Sequence, residues 1–330
     1  MSDKVLLVAS VASMIQQFNM RNIDILLQMG YQVEVACNFA EGNTCAPEQI
    51  GELKKELESK QVVWHQIDFA RNVFKLGQNA RAYRQLKELF KKNQYHFVHC
   101  HSPIGGVLGR LAAHKYKTHA IYTAHGFHFF KGAPAKNWLL FYPPERLLAP
   151  ATDVLITINK EDYARAKKRL PAKRIEYVPG VGIPTKKFRE LSLDVSAKRK
   201  SLGFSDEDFL MLTVAEMTAN KNHITVLRAL AVLKDKPEFA KIHYLIVGRG
   251  EMWPSLEESA RELGISDHVH FLGYRSDAPE LYRSCDLFAF MSFREGLSVA
   301  LMEAMSSAMP IVCTRIRGNT DLIEDGVSGL

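Results

Sequence analysis

Cysteine is scarce and scattered in this 330-residue chain: Cys37, Cys45, Cys100, Cys285 and Cys313 are odd in number, and none is spaced CxxC. That pattern excludes a disulfide framework and a thiolate zinc site, and it fits reduced thiols in a cytoplasmic protein. No apolar run approaches the roughly 20 residues of a membrane-spanning helix. No GxxxxGK(S/T) loop is present, which excludes a P-loop NTPase. The turn Gly248-Arg249-Gly250 lacks the third glycine of the dinucleotide fingerprint, because Trp253 stands in its place. Low-complexity segments are absent, and the hydrophobic content of 47% is ample for two cores. A secretory leader is not expected, since Met1-Ser2-Asp3-Lys4 runs straight into a strand-like segment.

What the chain has in excess is positive charge, and it is unevenly shared. Residues 1–185 hold 25 Lys and Arg against 15 Asp and Glu, whereas the remainder holds 18 against 21. A basic first half suits a membrane leaflet, a lipid-diphosphate acceptor or nucleic acid. No recognition motif accompanies the charge, so no nucleic acid is expected. The helical stretches 80–92 and 162–173 carry much of it, as interfacial helices or as solvated outer faces of a sheet.

Apolar strand-like runs alternate with helical stretches throughout, the signature of parallel sheets covered on both faces. In the first half the runs are 4–9, 32–37, 62–67, 97–100, 120–123, 154–158 and 175–178. Residues 39–61, with Gly42, Pro47 and Gly51, read as a variable surface insertion. Pro179-Gly180-Val181-Gly182-Ile183-Pro184 forms a defined turn at the domain junction. The boundaries are therefore set at 1–184 and 185–330. The alternation restarts with runs at 209–215, 243–247, 268–272, 286–290 and 310–313.

The most informative stretch runs from Phe293 to Met305. Glu295 and Glu303 are separated by seven residues, nearly all apolar or small. From Ser298 onward the pattern leaves almost no polar face, which predicts a helix buried all round. Glu295 would sit just before that helix, where free backbone N–H groups favour an anion. Glu303 would lie inside it, where an unpaired carboxylate is costly. Amides for a phosphate beside carboxylates for hydroxyls suit a nucleotide sugar.

This stretch resembles the E-x7-E signature of retaining glycosyltransferases of family 4, the "glycosyl transferases group 1", in the branch that builds bacterial capsular and extracellular polysaccharides. Further segments extend the resemblance over almost the whole chain. Val5–Ala9 is similar to the family's first strand. His99–Gly106 and Tyr122–Phe129 are similar to its acceptor-side loops, and Lys221–His223, Val247–Gly250 and Phe271–Tyr274 to its donor-side loops.

The resemblance implies an α/β fold of GT-B architecture, two Rossmann-like domains facing a cleft. Lys221 would deliver an ammonium to the donor diphosphate, with Gly248, Gly250 and the amides of Leu297 and Ser298 around it. Glu303 would hold the ribose and Glu295 the donor sugar, and His125 would lie beside that sugar. No metal and no cofactor is expected beyond the nucleotide sugar as substrate, because no DxD pair accompanies the histidines at 99, 101, 125 and 128. One departure is Glu216, where many members carry an arginine, and Arg249 or Arg294 is the candidate replacement.

The implied reaction is retaining transfer from a UDP-sugar to a lipid-linked saccharide. It would take place in the cytoplasm, at the inner face of the membrane. A nucleotide-sugar epimerase and a non-catalytic binding partner are the rivals. The C-terminal Asp325–Leu330 stops where relatives continue, so a truncated C-terminus with impaired transfer is expected.

Overall fold

The computed structural model describes residues 3–42 and 47–330, so the expectation of a reduced Cys45 lies outside the described residues. Two compact units, Met1–Pro179 and Gly180–Leu330, part at the start of the Pro179–Pro184 turn.

The first unit opens with β1 (Lys4–Val11), α1 (Ala12–Phe18), α2 (Met20–Gln28), β2 (Gln32–Asn38), α3 (Pro47–Ser59) and β3 (Val63–Gln66). It continues through α4 (Leu76–Lys92), β4 (Phe97–His101), α5 (Pro103–Lys115), β5 (His119–Ala124) and α6 (Ala135–Leu148). It closes with β6 (Val154–Thr157), α7 (Lys160–Arg169) and β7 (Arg174–Tyr177). The strands form one 7-stranded sheet in the order β3-β2-β1-β4-β5-β6-β7, and every neighbouring pair is parallel.

The second unit begins with α8 (Thr185–Arg189), α9 (Val195–Ser201), β8 (Phe209–Val214), α10 (His223–Leu233) and β9 (Ile242–Val247). After these come α11 (Trp253–Glu262), β10 (Val269–Gly273), α12 (Ala278–Ser284) and β11 (Leu287–Phe290). The last elements are α13 (Val299–Ser306), β12 (Ile311–Cys313) and α14 (Asn319–Leu322). Its 5-stranded sheet has the order β10-β9-β8-β11-β12, again parallel throughout.

The unbroken apolar runs follow from this layering. In β1, Leu6 and Val8 face the core under α4 and α5, while Val5, Leu7 and Ala9 face the core under α1, α2 and α3. Leu210 and Leu212 of β8 likewise point to the face opposite that of Met211. Both faces being covered, alternation disappears from the sequence. In each sheet the strand order reverses once, between β1 and β4 and between β8 and β11, and α/β folds bind ligands beyond the strand ends at such points.

Three expectations about the fold are corrected. Residues 39–61 are not a surface insertion: α3 buries Ile50, Leu53 and Leu57 in the core beneath β1 and β2. Nor is α13 buried all round. Only Leu301 and Ala304 are fully buried, and Met305 is exposed, because a helix lying on a sheet turns a single stripe toward it. The basic stretch at 162–173 is helical only to Arg169, ending before Pro171.

Candidate active site

At the reversal point of the second sheet, the loop after β8 meets the loop after β11. Lys221 ends a short 3-10 turn, and its Nζ lies 2.6 Å from Glu295 Oε1. Neither side chain is fully buried, and the ammonium also sits 5.1 Å from the centre of the Phe290 ring. The two loops are laced together through backbone carbonyls. Asn220 Nδ2 donates to Arg294 O at 3.0 Å and Asn222 Nδ2 to Met291 O at 3.0 Å, while the Phe293 amide donates to Asn220 O at 2.8 Å. From the far side Arg317, almost completely buried, donates its Nε to Glu295 O at 3.1 Å. A Cβ on Gly318 would lie 2.4 Å from Gly296 O, so only glycine allows that loop to close over Gly296. The loop carrying Glu295 is thus held at both flanks.

Ser298 caps α13, its Oγ accepting the Leu301 amide at 3.3 Å. The first amides of the helix follow directly on Leu297, which is buried. Glu303, one turn further, is half-buried, and its Oε2 accepts the hydroxyl of the fully buried Tyr282 at 3.0 Å. Burial pushes the Glu303 pKa up, while the Tyr282 hydrogen bond and the Lys187 charge oppose the rise.

Gly248 and Gly250 lie where the loops after β8 and β9 cross. A Cβ would come within 2.0 Å of Ala215 O at Gly248 and 2.2 Å of Met217 O at Gly250. The crossing is fastened by Met217 N to Arg249 O at 2.9 Å and Met252 N to Met217 O at 3.0 Å. These glycines therefore have a packing reason to be there. Arg249 is exposed, Arg294 is half-buried, and neither forms an ion pair among the described residues.

In the first unit His125 follows β5 directly, at the carboxyl end of the sheet. Its Nε2 lies 3.1 Å from His101 Nδ1, and His99 Nε2 lies 2.8 Å from Thr123 Oγ1. His99 lies on strand β4, within the expected run 97–100, and His101 is the last residue of that strand and not part of the loop after it. Burial holds all three imidazoles neutral, with His99 down at about 3, His125 at about 4 and His101 well below its usual range; neighbouring histidines add to the shift at His99 and His101. Asp162, fully buried on α7, accepts the Phe127 amide at 2.9 Å and so fixes the loop that starts at His125. At the reversal point of this sheet, Ser102 Oγ accepts the Ser10 amide at 2.9 Å, and Ser10 Oγ accepts the Gly105 amide at 3.0 Å. His128 stacks on Phe141 of α6, ring centres 4.3 Å apart.

The sequence model described as Glycosyltransferase Family 4 matches residues 23–181, and that described as Glycosyl transferases group 1 matches residues 194–330. The chain is 39% identical over 334 aligned residues to EpsD of Bacillus subtilis (strain 168), itself assigned as a glycosyltransferase; the alignment covers 100% of this chain and 83% of EpsD. The chain belongs to glycosyltransferase family 4. It is also 25% identical to the Escherichia coli UDP-Gal:alpha-D-GlcNAc-diphosphoundecaprenol alpha-1,3-galactosyltransferase, over 96% of this chain and 79% of that enzyme. Among solved structures, Anabaena Alr3699/HepE in complex with UDP-glucose superposes with a TM-score of 0.77 at 21% identity, covering 99% of this chain and 84% of that one. That likeness establishes the fold, two Rossmann-like domains of the GT-B class.

For this family 4 glycosyltransferase, the second unit brings Lys221, Glu295, Leu297 and Ser298 to one sheet end, with Glu303 a turn along α13. Arg317, Tyr282 and Asp162 are the residues that sequence reasoning missed. A motif marks side chains that meet the substrate, whereas these three act on a backbone carbonyl, a carboxylate and a backbone amide far away in the chain.

Proposed function

We propose that this glycosyltransferase moves a sugar, with retention of configuration, from a UDP-sugar to a lipid-linked saccharide during synthesis of a bacterial surface polysaccharide. The observation that carries the reading is the Lys221–Glu295 pair at the β8/β11 reversal point, directly ahead of the capped start of α13. An ammonium and a row of free helix amides stabilise a departing diphosphate in the place of a metal ion. Glu295 spends Oε1 on Lys221 and keeps Oε2 for hydroxyls of the donor sugar. Glu303 keeps Oε1 for the ribose while Tyr282 occupies Oε2. On the first unit, burial keeps the His125 imidazole neutral.

In the step itself, the acceptor oxygen bonds to the anomeric carbon on the face from which the diphosphate departs. The bond from that carbon to the diphosphate oxygen breaks, and the acceptor proton passes to a phosphate oxygen of the leaving UDP. Lys221 offsets the charge left on the diphosphate. The E. coli relative, by its name, takes UDP-Gal and a diphosphoundecaprenol acceptor, which supports the choice of a UDP donor and a lipid-linked acceptor. The site read for this reaction is the cytoplasmic face of the membrane, and the basic first half suits an anionic leaflet.

The test is incubation of the chain with a panel of nucleotide sugars and a lipid-linked saccharide, followed by mass spectrometry of the lipid. Addition of one hexose or N-acetylhexosamine from a UDP donor is expected. Conversion of the donor without any acceptor would favour an epimerase, and nucleotide binding with no turnover would favour a non-catalytic partner.

A further inference from the structure

The surface of α6 is at odds with its environment. Leu139 and Leu147, two turns apart on one side of the helix, are 79% and 78% exposed. Phe74, on the loop before α4, is 72% exposed and shares an open groove with Ala135, Leu139 and Leu140. Solvated helices do not ordinarily present such a stripe, and contiguous apolar surface of this kind marks an interaction site.

The charges around the stripe identify the partner. Lys75, Lys131, Lys136 and Arg146 are exposed beside it, and Arg146 Nη1 reaches Arg169 O at 2.5 Å, which brings the cationic end of α7 alongside. Residues 69–87 contain no carboxylate, and residues 127–150 contain one, Glu145, buried against Arg110 Nη2 at 2.7 Å. The face is therefore apolar in the middle and mainly cationic at its rim, where the carboxylates are Glu161, which accepts the Lys131 amide at 2.9 Å, and Glu41 and Asp68, which line the pocket beside Lys75. A second copy docked about a twofold axis would set that rim against itself, which disfavours self-association. An anionic lipid bilayer satisfies both parts at once: leucine and phenylalanine enter the acyl boundary while lysine and arginine meet the headgroups.

We infer that the outer stripe of α6 and the Phe74 loop form the face by which the chain docks on an anionic membrane. This deepens the function proposed above and rests on its membrane-borne acceptor. The docking elements are built onto the loop that begins at His125. Asn137 of α6 donates its Nδ2 to His128 O at 3.1 Å, and Phe129 packs between Trp138 and Tyr142 of α6. A docked α6 would hold the His125 loop close to the lipid surface, where a lipid-linked acceptor arrives. The assignment differs from one made on charge alone, which picks out the basic face of α4.

The test is co-sedimentation of the full chain with vesicles of phosphatidylglycerol and phosphatidylcholine, with no donor or acceptor present. Wild type should bind only the anionic vesicles and bind less as salt rises. Leu139→Glu and Leu147→Glu should each cut binding roughly tenfold or more, while Arg81→Gln with Arg84→Gln on α4 should have a much smaller effect. Both leucines are exposed, so folding should survive, and circular dichroism checks it. Binding retained by the leucine variants but lost by the α4 pair would overturn the inference. So would an absence of vesicle binding, or a dimer in sedimentation velocity that those leucine substitutions dissolve. Sugar transfer is measured separately in detergent micelles. If no sugar is transferred there while the leucines still govern vesicle binding, the docking face stands and the transferase reading falls.

Discussion

In its proposed role Glu303 would accept ribose hydroxyls best as an ionised carboxylate, yet burial favours its neutral form. The Tyr282 hydroxyl and Lys187 pull the other way. Glu303→Gln should weaken UDP binding by about 1.5–3 kcal/mol, because a charged acceptor is replaced by a neutral amide. Isothermal calorimetry checks this, and unchanged affinity would remove Glu303 from the ribose site. A second expectation concerns protons within the histidine group. His101 Nε2 is buried with no partner, so a hydrogen there would be stranded. The cheaper arrangement puts the hydrogen on His101 Nδ1, which donates to His125 Nε2 and leaves His125 protonated on Nδ1. Nitrogen-15 imidazole shifts should show that tautomer for His125, and His101→Phe should relax it to a mixture. A protonated Nε2 in the wild type would reverse the assignment. Lys221, Glu295 and Glu303 could be singled out in the chain by their spacing, and the structure brings the first two within 2.6 Å of each other. Arg317 could not, since nothing local to residue 317 signals a bond to the carbonyl of residue 295.

Strands were the most legible elements, and helices less so. A strand covered on both faces becomes an apolar run, and all twelve runs read from the sequence correspond to strands, the less buried edge strands β3 and β7 among them. In α3 the signal is weaker: Ile50, Leu53 and Leu57 keep helical spacing, but Gly51 and many charges lie between them. On α13 the methionines made the helix look more buried than it is. The crossing of the loops after β8 and β9 allows a test at this scale. Gly250 has no unusual backbone angle, so its need for glycine is purely one of space. Gly250→Ala drives a methyl into Met217 O and should destabilise the fold by about 1–3 kcal/mol. Chemical denaturation would measure the loss, and a neutral result would mean the crossing can open. Phosphate contact at the same turn is a separate matter, read from UDP affinity in the folded variant.

For the molecule as a whole, pH is the informative variable. His99 and His125 have pKa values held at about 3 and about 4, below the value near 6.5 of an unfolded histidine. Between those limits the unfolded chain binds more protons than the folded one, so stability rises with pH. It is fully present above about 6.5 and is lost as the pH falls through the folded values. Glu34 adds to the loss lower down. Against the upward push of burial, hydrogen bonds from His65, Tyr95 and Lys4 hold its pKa at about 2. The melting temperature should therefore fall from pH 7 to pH 5 and fall further toward pH 3. A flat profile by differential scanning calorimetry would contradict the buried neutral histidines. The parallel connectivity has one more consequence, for a chain still being made. β1 is flanked by β2 and by β4, and β8 by β9 and by β11. No neighbouring pair can zip up as a hairpin, because every one is parallel. During translation β1 must keep one edge bare until residue 97 has emerged, and β8 must do so until residue 287. Nascent chains with bare central edges are prone to stick to one another. Slower synthesis at lower temperature, or extra chaperone, should raise the soluble yield of this protein more than any change to its surface.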